Sequence, residues 1–308
     1  MLYFILNPSS RSSGSGSVWN VIAARLENEN IPYRVYATKY RGHGRDLARS
    51  ITEKDPRAAV VAVGGDGSIH DILCGLSNLS TVTFAVIPSG SGNDFARGME
   101  LPAKTKDAIE AVLNPKKYCS MDVGTLNAQR AMRFGVSSGI GFDASICHEA
   151  LNSKIKDFLN KLRLGSLTYS LLALKQIVAY RPCKMKITIE DSLGKTEVLR
   201  FEKAFFASAM NQPCEGGGLF LTPEADASDG LIDLFVCADM PRLKLAAMLP
   251  TAYSGKHTKL KGLCFRKCRS IRIEADRKLP VHADGESAGY AKSLTYGLEK
   301  ERLKVITG

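Results

Sequence analysis

No apolar run in this 308-residue chain approaches the roughly 20 residues that a spanning helix needs, so no transmembrane segment is expected. Residues 1–6 are apolar but too short for a secretory leader and have no basic lead; they read as the first strand. None of the eight cysteines, at 74, 119, 147, 183, 214, 237, 264 and 268, forms a Cys-x-x-Cys pair, and the five histidines do not cluster near them. This disfavours a zinc site and fits reduced, buried thiols in a cytoplasmic protein. Aromatic residues make up only 7% of the chain, with one Trp, and nothing resembles a nucleic-acid-binding motif, so nucleic acid is not an expected partner. Acids are scarce between residues 242 and 278, where 11 basic residues meet only Glu274 and Asp276. The overall charge of +11 is uneven: 16 Lys/Arg against 14 Asp/Glu up to residue 150, and 26 against 17 after it. Such an excess suits peripheral attachment to an anionic membrane surface, or is a solvated basic face.

The most informative stretch is Val60-Val61-Ala62-Val63-Gly64-Gly65-Asp66-Gly67-Ser68. A buried strand runs into a glycine turn with one acid and one hydroxyl, and a helix follows from about residue 69. Glycine lets backbone approach a phosphate, and a helix N-terminus adds free N–H groups and a positive dipole end. An acid in such a turn would repel bare phosphate. It makes sense if a divalent metal lies between them, or if it orients a nucleotide hydroxyl; a plain turn with Asp66 as a cap is the alternative. No Gly-Lys-Ser/Thr follows this turn, so it is not a Walker loop. The pattern returns at Phe84-Ala85-Val86-Ile87, followed by Pro88-Ser89-Gly90-Ser91-Gly92-Asn93-Asp94-Phe95-Ala96-Arg97. In a parallel sheet the carboxyl ends of neighbouring strands open on one crevice, so Asp66 and Asp94 are expected to share a pocket.

The chain is long enough for two domains. Strands at Leu2–Leu6 and Tyr33–Ala37 alternate with helices at about 18–29, 46–51 and Thr105–Leu113, the last with Thr105 as N-cap. This predicts a parallel α/β domain over residues 1–122, completed by the C-terminal segment 292–308. The loop at 9–17 holds six serines and two glycines. Beyond Asp122, segments 132–136, 184–190, 197–201, 204–209, 232–237, 270–274 and 279–283 read as short strands. They predict a mainly antiparallel β-sandwich over residues 123–291. A helical interruption at 151–180 carries Ile155, Phe158, Leu159 and Leu162 among Lys154, Lys156, Lys161 and Arg163. It packs on the sheet or lies at a lipid surface. Asp284-Gly285-Glu286 ends this series: by itself a hairpin signal, but one that presents two acids.

The two glycine motifs, with Gly139-Ile140-Gly141-Phe142-Asp143-Ala144, Gly216-Gly217-Gly218, Asp229-Gly230-Leu231-Ile232-Asp233 and Asp284-Gly285-Glu286, together resemble the bacterial members of the diacylglycerol kinase catalytic-domain family, which includes sphingosine kinases. The motifs stand in the family's order over nearly the whole chain. Asn7-Pro8 is similar to the family's opening motif. Ser68 and Ser91 stand where the family often has Thr, and His70-Asp71 where it often has Asn-Glu. The resemblance implies an ATP-dependent lipid kinase with Gly64, Gly65, Asp66, Gly67, Ser68, Gly90, Ser91, Asn93, Asp94 and Asp122 at the nucleotide. It implies Asp66 and Asp94 at a catalytic Mg²⁺, directly or through water. Asp284 is then the general base toward a lipid hydroxyl, with Glu286 orienting it or sharing its proton. Asp229 and Leu231 would hold a separate structural Mg²⁺. The rival readings are an NAD kinase-like enzyme and a non-catalytic lipid-binding protein of the same fold. A homodimer and the identity of the lipid stay open.

Overall fold

The computed structural model describes residues 1–8, 15–152 and 167–308, which fall into two compact units: Met1–Asp122 with Lys300–Gly308, and Val123–Glu299. The positions Ile155, Phe158, Leu159 and Leu162, and most of the serine-rich loop, lie outside the described residues.

The first unit is built on a six-stranded sheet in the order β2-β1-β3-β4-β15-β5. Strands β1 (Leu2–Leu6), β2 (Tyr33–Ala37), β3 (Ala59–Gly64), β4 (Thr83–Pro88) and β15 (Leu303–Ile306) run parallel, and β5 (Tyr118–Met121) runs antiparallel to β15. Val60 to Val63 are fully buried, which explains the unbroken apolar run: a central parallel strand is covered on both faces. Helices α1 (Ser15–Asn28), α2 (His43–Lys54), α3 (Asp66–Gly75), α4 (Asp94–Gly98) and α5 (Thr105–Leu113) supply the connections. Phe4, Ile22, Leu26, Val61, Val63 and Ile109 belong to one core cluster. Thr105, expected as an N-cap, is instead the first helical residue; extended Lys104 holds the cap position and no side chain bonds there. The C-terminal return begins at Lys300 rather than at 292, because residues up to Leu298 continue a strand of the second unit.

Helices α2 and α3 meet almost backbone to backbone. A Cβ on Gly75 would lie 2.2 Å from the Arg45 carbonyl oxygen, a backbone atom that cannot swing aside. Gly75→Ala is therefore expected to cost about 1–3 kcal/mol by overpacking. The check is a lowered urea midpoint with an unchanged slope.

The second unit is an antiparallel nine-stranded arrangement in the order β12-β11-β10-β8-β13-β14-β6-β7, with β9 pairing β10 and β13. Its strands are β6 (Gly124–Asn127), β7 (Ala131–Phe134), β8 (Ser137–Gly141), β9 (Cys183–Glu190), β10 (Thr196–Met210), β11 (Ile232–Ala238), β12 (Leu263–Cys268), β13 (Ser270–Ala283) and β14 (Glu286–Leu298). Segments 197–201 and 204–209, read from the sequence as two strands, form the single strand β10 with a register shift between Phe201 and Ala204. Likewise 270–274 and 279–283 join in β13 across a shift between Glu274 and Leu279. Each long strand pairs β9 with its first half and β8 with its second, so the sheet folds over itself. Ile140, Ile187, Ala207, Leu234, Ile271 and Val281 share the core so enclosed. Phe142, Phe205, Phe235, Leu245 and Met248 form a second cluster, which includes residues of α6 (Phe142–Asn152) and of the helices Leu167–Ala179 and Arg242–Ala252. Among the described residues, no helix is long and apolar enough to cross a membrane. None of the eight cysteines is in a disulfide.

Candidate active site

In the first unit the register Gly64↔Pro88 places the ends of β3 and β4 side by side, so both glycine motifs leave the sheet at one edge. The Ser89 amide donates to the Gly64 carbonyl at 2.9 Å. The loops then touch: a Cβ on Gly90 would lie 2.7 Å from the Gly65 Cα, and one on Gly65 would lie 3.0 Å from the Gly90 Cα. Neither position accepts a side chain without moving the other loop. Asn93, in the left-handed region at φ 53°, clamps the second loop. Its Oδ1 accepts the Gly90 amide and its Nδ2 donates to the Gly90 carbonyl, both at 3.0 Å.

The two acids converge as the sequence suggested. The point that a Cβ on Gly92 would occupy lies 2.8 Å from Asp66 Oδ2 and 3.7 Å from Asp94 Oδ2. Their other oxygens are anchored: Asp66 Oδ1 accepts the Phe95 amide at 3.3 Å, and Asp94 Oδ1 pairs with Arg97 Nη1 at 3.0 Å. Two hard oxygen donors directed at one small space are the donor set a divalent Mg²⁺ takes. Gly65 caps α3, and Asp66, Gly67 and Ser68 form its first turn. Asn7, at the end of β1, donates from Nδ2 to Ser68 Oγ at 2.9 Å and ties a third strand end to this turn. Ser91 is exposed in the second loop. Asp122 is buried, with Oδ1 2.7 Å from Arg302 Nε, a pair that joins the end of β5 to the C-terminal return. Of the pair His70-Asp71, Asp71 joins two helices. Asp71 Oδ2 accepts the Gly42 amide at 3.0 Å ahead of α2, and buried His70 sits beside Cys74.

In the second unit Asp284 and Gly285 form the two-residue loop between β13 and β14, with φ of 49° and 78°, and Ala283 pairs with Glu286. Two successive positive φ values define the primed hairpin turn that Asp-Gly favours. The hairpin reading is therefore right locally, and it leaves the acid presented. Three amides orient the Asp284 carboxylate. Oδ2 accepts from Gly135 at 2.9 Å, and Oδ1 accepts from Val136 at 2.8 Å and Ser137 at 3.1 Å.

Behind this turn lies a buried network that the sequence did not announce. Gly139 in β8 pairs with His282 in β13, and a Cβ there would lie 1.8 Å from Asp143 Oδ2 and 2.8 Å from His282 Nε2. The glycine thus makes room for an acid and an imidazole 3.3 Å apart. Asp143 also accepts from Ser208 Oγ at 2.5 Å and from the Ala144 amide at 2.6 Å, while Ser137 Oγ donates to Glu215. Glu215 precedes Gly216, Gly217 and Gly218, all three left-handed, which bend the chain back to Leu219. Single ligand atoms of Asp143, Glu215 and His282 lie within 4.8 Å of one another.

His282 connects this network to the turn. The Gly285 amide donates to His282 Nδ1 at 3.2 Å, so Nε2 carries the proton toward Asp143. Burial pushes this imidazole down, but the hydrogen bond and charge of Asp143, with Glu215 and Asp284 beyond, outweigh it and raise it above its ordinary value. A raised histidine stabilises the fold at acid pH and loses that contribution as pH rises through its folded value. Its protonated form, however, cannot accept from Gly285. His282→Asn keeps an acceptor at the δ position, whereas His282→Gln keeps only the ε donor. We expect the Gln variant to lose roughly 2- to 10-fold more turnover than the Asn variant, the effect of one hydrogen bond on the turn. Steady-state kinetics of the two, beside their melting temperatures, provide the check.

The Asp229 turn holds a cation of its own. Asp229 Oδ1 accepts the Leu231 amide at 2.9 Å, and Oδ2 pairs with Lys267 Nζ at 2.7 Å. The same ammonium lies 3.8 Å from Asp233 Oδ2. Burial pushes the Asp233 carboxyl up to about 7, against the pull of Lys267 and with the push of Asp229, Glu224 and Asp226. Elsewhere in this unit Arg242 bonds the carbonyl oxygens of Val178 and Tyr180, capping the helix Leu167–Ala179. Leu174, Val178 and Leu243 are exposed.

The family model for the diacylglycerol kinase catalytic domain matches residues 1–126, and that for the YegS C-terminal NAD kinase beta sandwich-like domain matches residues 138–306. A Bacillus subtilis (strain 168) protein named "Putative lipid kinase YtlR" is 30% identical over 295 residues, 93% of each chain. A protein of Mycobacterium tuberculosis (strain ATCC 25618 / H37Rv) named diacylglycerol kinase is 28% identical over 288 residues, 92% of this chain and 88% of that one. Among solved structures, a diacylglycerol kinase from Bacillus anthracis str. Sterne superposes with a TM-score of 0.72 at 21% identity, over 100% of this chain and 96% of that one. An NAD kinase from Archaeoglobus fulgidus in complex with ATP gives 0.54 at 12% identity, over 99% and 93%. The last two likenesses are ones of fold.

Proposed function

This chain belongs to the diacylglycerol kinase-like lipid kinase family, and from that premise we propose that it transfers the γ-phosphoryl group of ATP, with Mg²⁺, to the hydroxyl of a lipid. The observation that carries the proposal is the convergence of Asp66 and Asp94 on the space above Gly92, at the joined ends of two parallel strands. Phosphoryl transfer asks a protein for positioning and for charge neutralisation more than for covalent chemistry. Mg²⁺ held by Asp66 and Asp94 would neutralise phosphate charge. Gly65 and Gly90 let the two loops meet backbone to backbone, and Asn93 keeps the second loop in shape. Asp284, oriented by the amides of Gly135, Val136 and Ser137, takes the proton of the acceptor hydroxyl. The class of acceptor is a membrane lipid alcohol: a diacylglycerol, a phosphatidylglycerol, a sphingoid base or an isoprenoid alcohol.

One assay tests the reading. γ-Labelled ATP is offered with that lipid panel, with NAD as a control. A labelled lipid supports the proposal; labelled NAD without labelled lipid replaces it with the rival enzyme, and no transfer to any acceptor overturns it.

A lipid acceptor implies visits to a bilayer. Some of the basic run after residue 241 is engaged, as in the pairs Arg266–Glu197, Lys267–Asp229 and Arg272–Glu274. Lys256, Lys259 and Lys261 make no ion pair among the described residues. Each Lys or Arg near an anionic surface contributes about 1 kcal/mol, so a few give measurable, reversible attachment. Sedimentation with anionic vesicles is expected to exceed that with neutral ones. It should fade between 0.1 M and 1 M salt as the Debye length shortens from about 10 Å to about 3 Å. Equal binding to both vesicle types would reduce the charge to a solvated face.

A further inference from the structure

The family resemblance places a structural Mg²⁺ at Asp229 and Leu231, and the donor set here does not fit one. Both carboxylate oxygens of Asp229 are engaged, Oδ1 by the Leu231 amide at 2.9 Å and Oδ2 by Lys267 Nζ at 2.7 Å. The Leu231 N–H thus occupies Oδ1, and the Lys267 ammonium occupies Oδ2. The next carbonyl, that of Ile232, accepts the Cys268 thiol at 3.4 Å. Asp226 Oδ1 accepts both the amide and the hydroxyl of Ser228, at 2.8 Å and 2.7 Å, and so closes its own turn.

The position of Lys267 is not an accident of a mobile side chain. It stands on β12 directly opposite Asp233 on β11, so the antiparallel register delivers its ammonium to the mouth of the Asp229 turn. There it lies between two carboxylates, 2.7 Å from Asp229 Oδ2 and 3.8 Å from Asp233 Oδ2. Mg²⁺ demands near-octahedral oxygen ligation at about 2.0–2.1 Å. An ion bound to Asp229 Oδ2 would have to displace the ammonium or sit against it, like charge against like charge at close range.

We propose that in this chain Lys267 is the resident cation of the Asp229 turn, in place of a divalent metal. The anchoring is covalent to the fold: it comes with strand pairing and needs no ion from solution. It follows that the second unit keeps this turn in chelator as well as in magnesium. The inference is independent of the lipid kinase reading, because its test reads stability and metal content rather than activity.

The test uses the full chain without nucleotide. Melting is followed in EDTA and in millimolar Mg²⁺, for wild type, Lys267→Met, Asp229→Asn and the double variant. Wild type is expected to melt alike in both buffers. Lys267→Met keeps the apolar stem but not the charge and is expected to melt lower by about 1–3 °C, the shift one cross-strand ion pair can give. Asp229→Asn should fall similarly, and the double variant no further than the larger single loss, since contacting residues are coupled. Elemental analysis of the dialysed protein should find no stoichiometric divalent metal. Two results overturn the inference: a wild-type melting point that rises in Mg²⁺ and loses the rise in Asp229→Asn, or a Lys267→Met variant that melts as wild type does. A rise that survives Asp229→Asn but is lost in Asp66→Ala comes from the first unit and leaves the wild-type Asp229 turn indifferent to Mg²⁺, as expected.

Discussion

Asp284→Asn is expected to lower turnover on the order of 10²–10⁴-fold, the usual effect of removing a positioned general base. The substitution keeps the volume of the side chain and one of its oxygens. Oδ1 can still accept from Val136 and Ser137, but the new amide group faces the Gly135 N–H, donor against donor. That mismatch costs about 1–3 kcal/mol of stability, so kinetics must be run well below the melting transition. ATP binding should be unaffected, because the amides of Gly135, Val136 and Ser137 that hold the side chain lie in the second unit. The decisive comparison is turnover against the melting curve. A variant that melts lower but turns over at nearly the wild-type rate would reduce Asp284 to the first residue of a hairpin turn.

Asp66→Ala and Asp94→Ala are each expected to cut Mg²⁺-supported turnover by at least on the order of 10²-fold, since a metal-borne charge is worth several kcal/mol to the transition state. The two variants should differ in a way the geometry defines. Asp66→Ala also removes the acceptor of the Phe95 amide, which links the first loop to the start of α4. Asp94→Ala releases Arg97, which stands at the surface and can be solvated. The first variant should therefore lose more stability than the second, while both shift activity to higher Mg²⁺. Titration of activity with Mg²⁺ measures this. Wild-type curves from both variants would make the convergence over Gly92 a packing arrangement and not a metal site.

Much of this site is written in short segments. Val60 to Ser68 and Phe84 to Arg97 each state a strand, a glycine turn and a helix start within 9 and 14 residues, and both units form, with the first helix starting at Asp66 inside the turn rather than at about residue 69. Asp284-Gly285 states a hairpin and forms one. Such features depend on φ/ψ preferences and on side-chain periodicity, which act between neighbours. The strand breaks assigned at residues 202–203 and 275–278 were misplaced for the same reason. Burial along β10 changes from alternating to continuous after Glu202–Lys203, so local periodicity stops although hydrogen bonding to neighbouring strands does not.

What the sequence by itself determined is the order of elements, the two classes of fold and the acids held out by each turn. The tertiary structure alone decided what those acids meet. Asp66 and Asp94 are drawn together by the register of β3 against β4. Asp284 finds its three amides nearly 150 residues earlier in the chain, His282 finds Asp143 139 residues away, and Asp229 finds Lys267 38 residues on. Each meeting is fixed by which strand lies beside which and by the offset between them. That offset is the outcome of packing two faces of a sheet at once, and no short stretch of chain contains it.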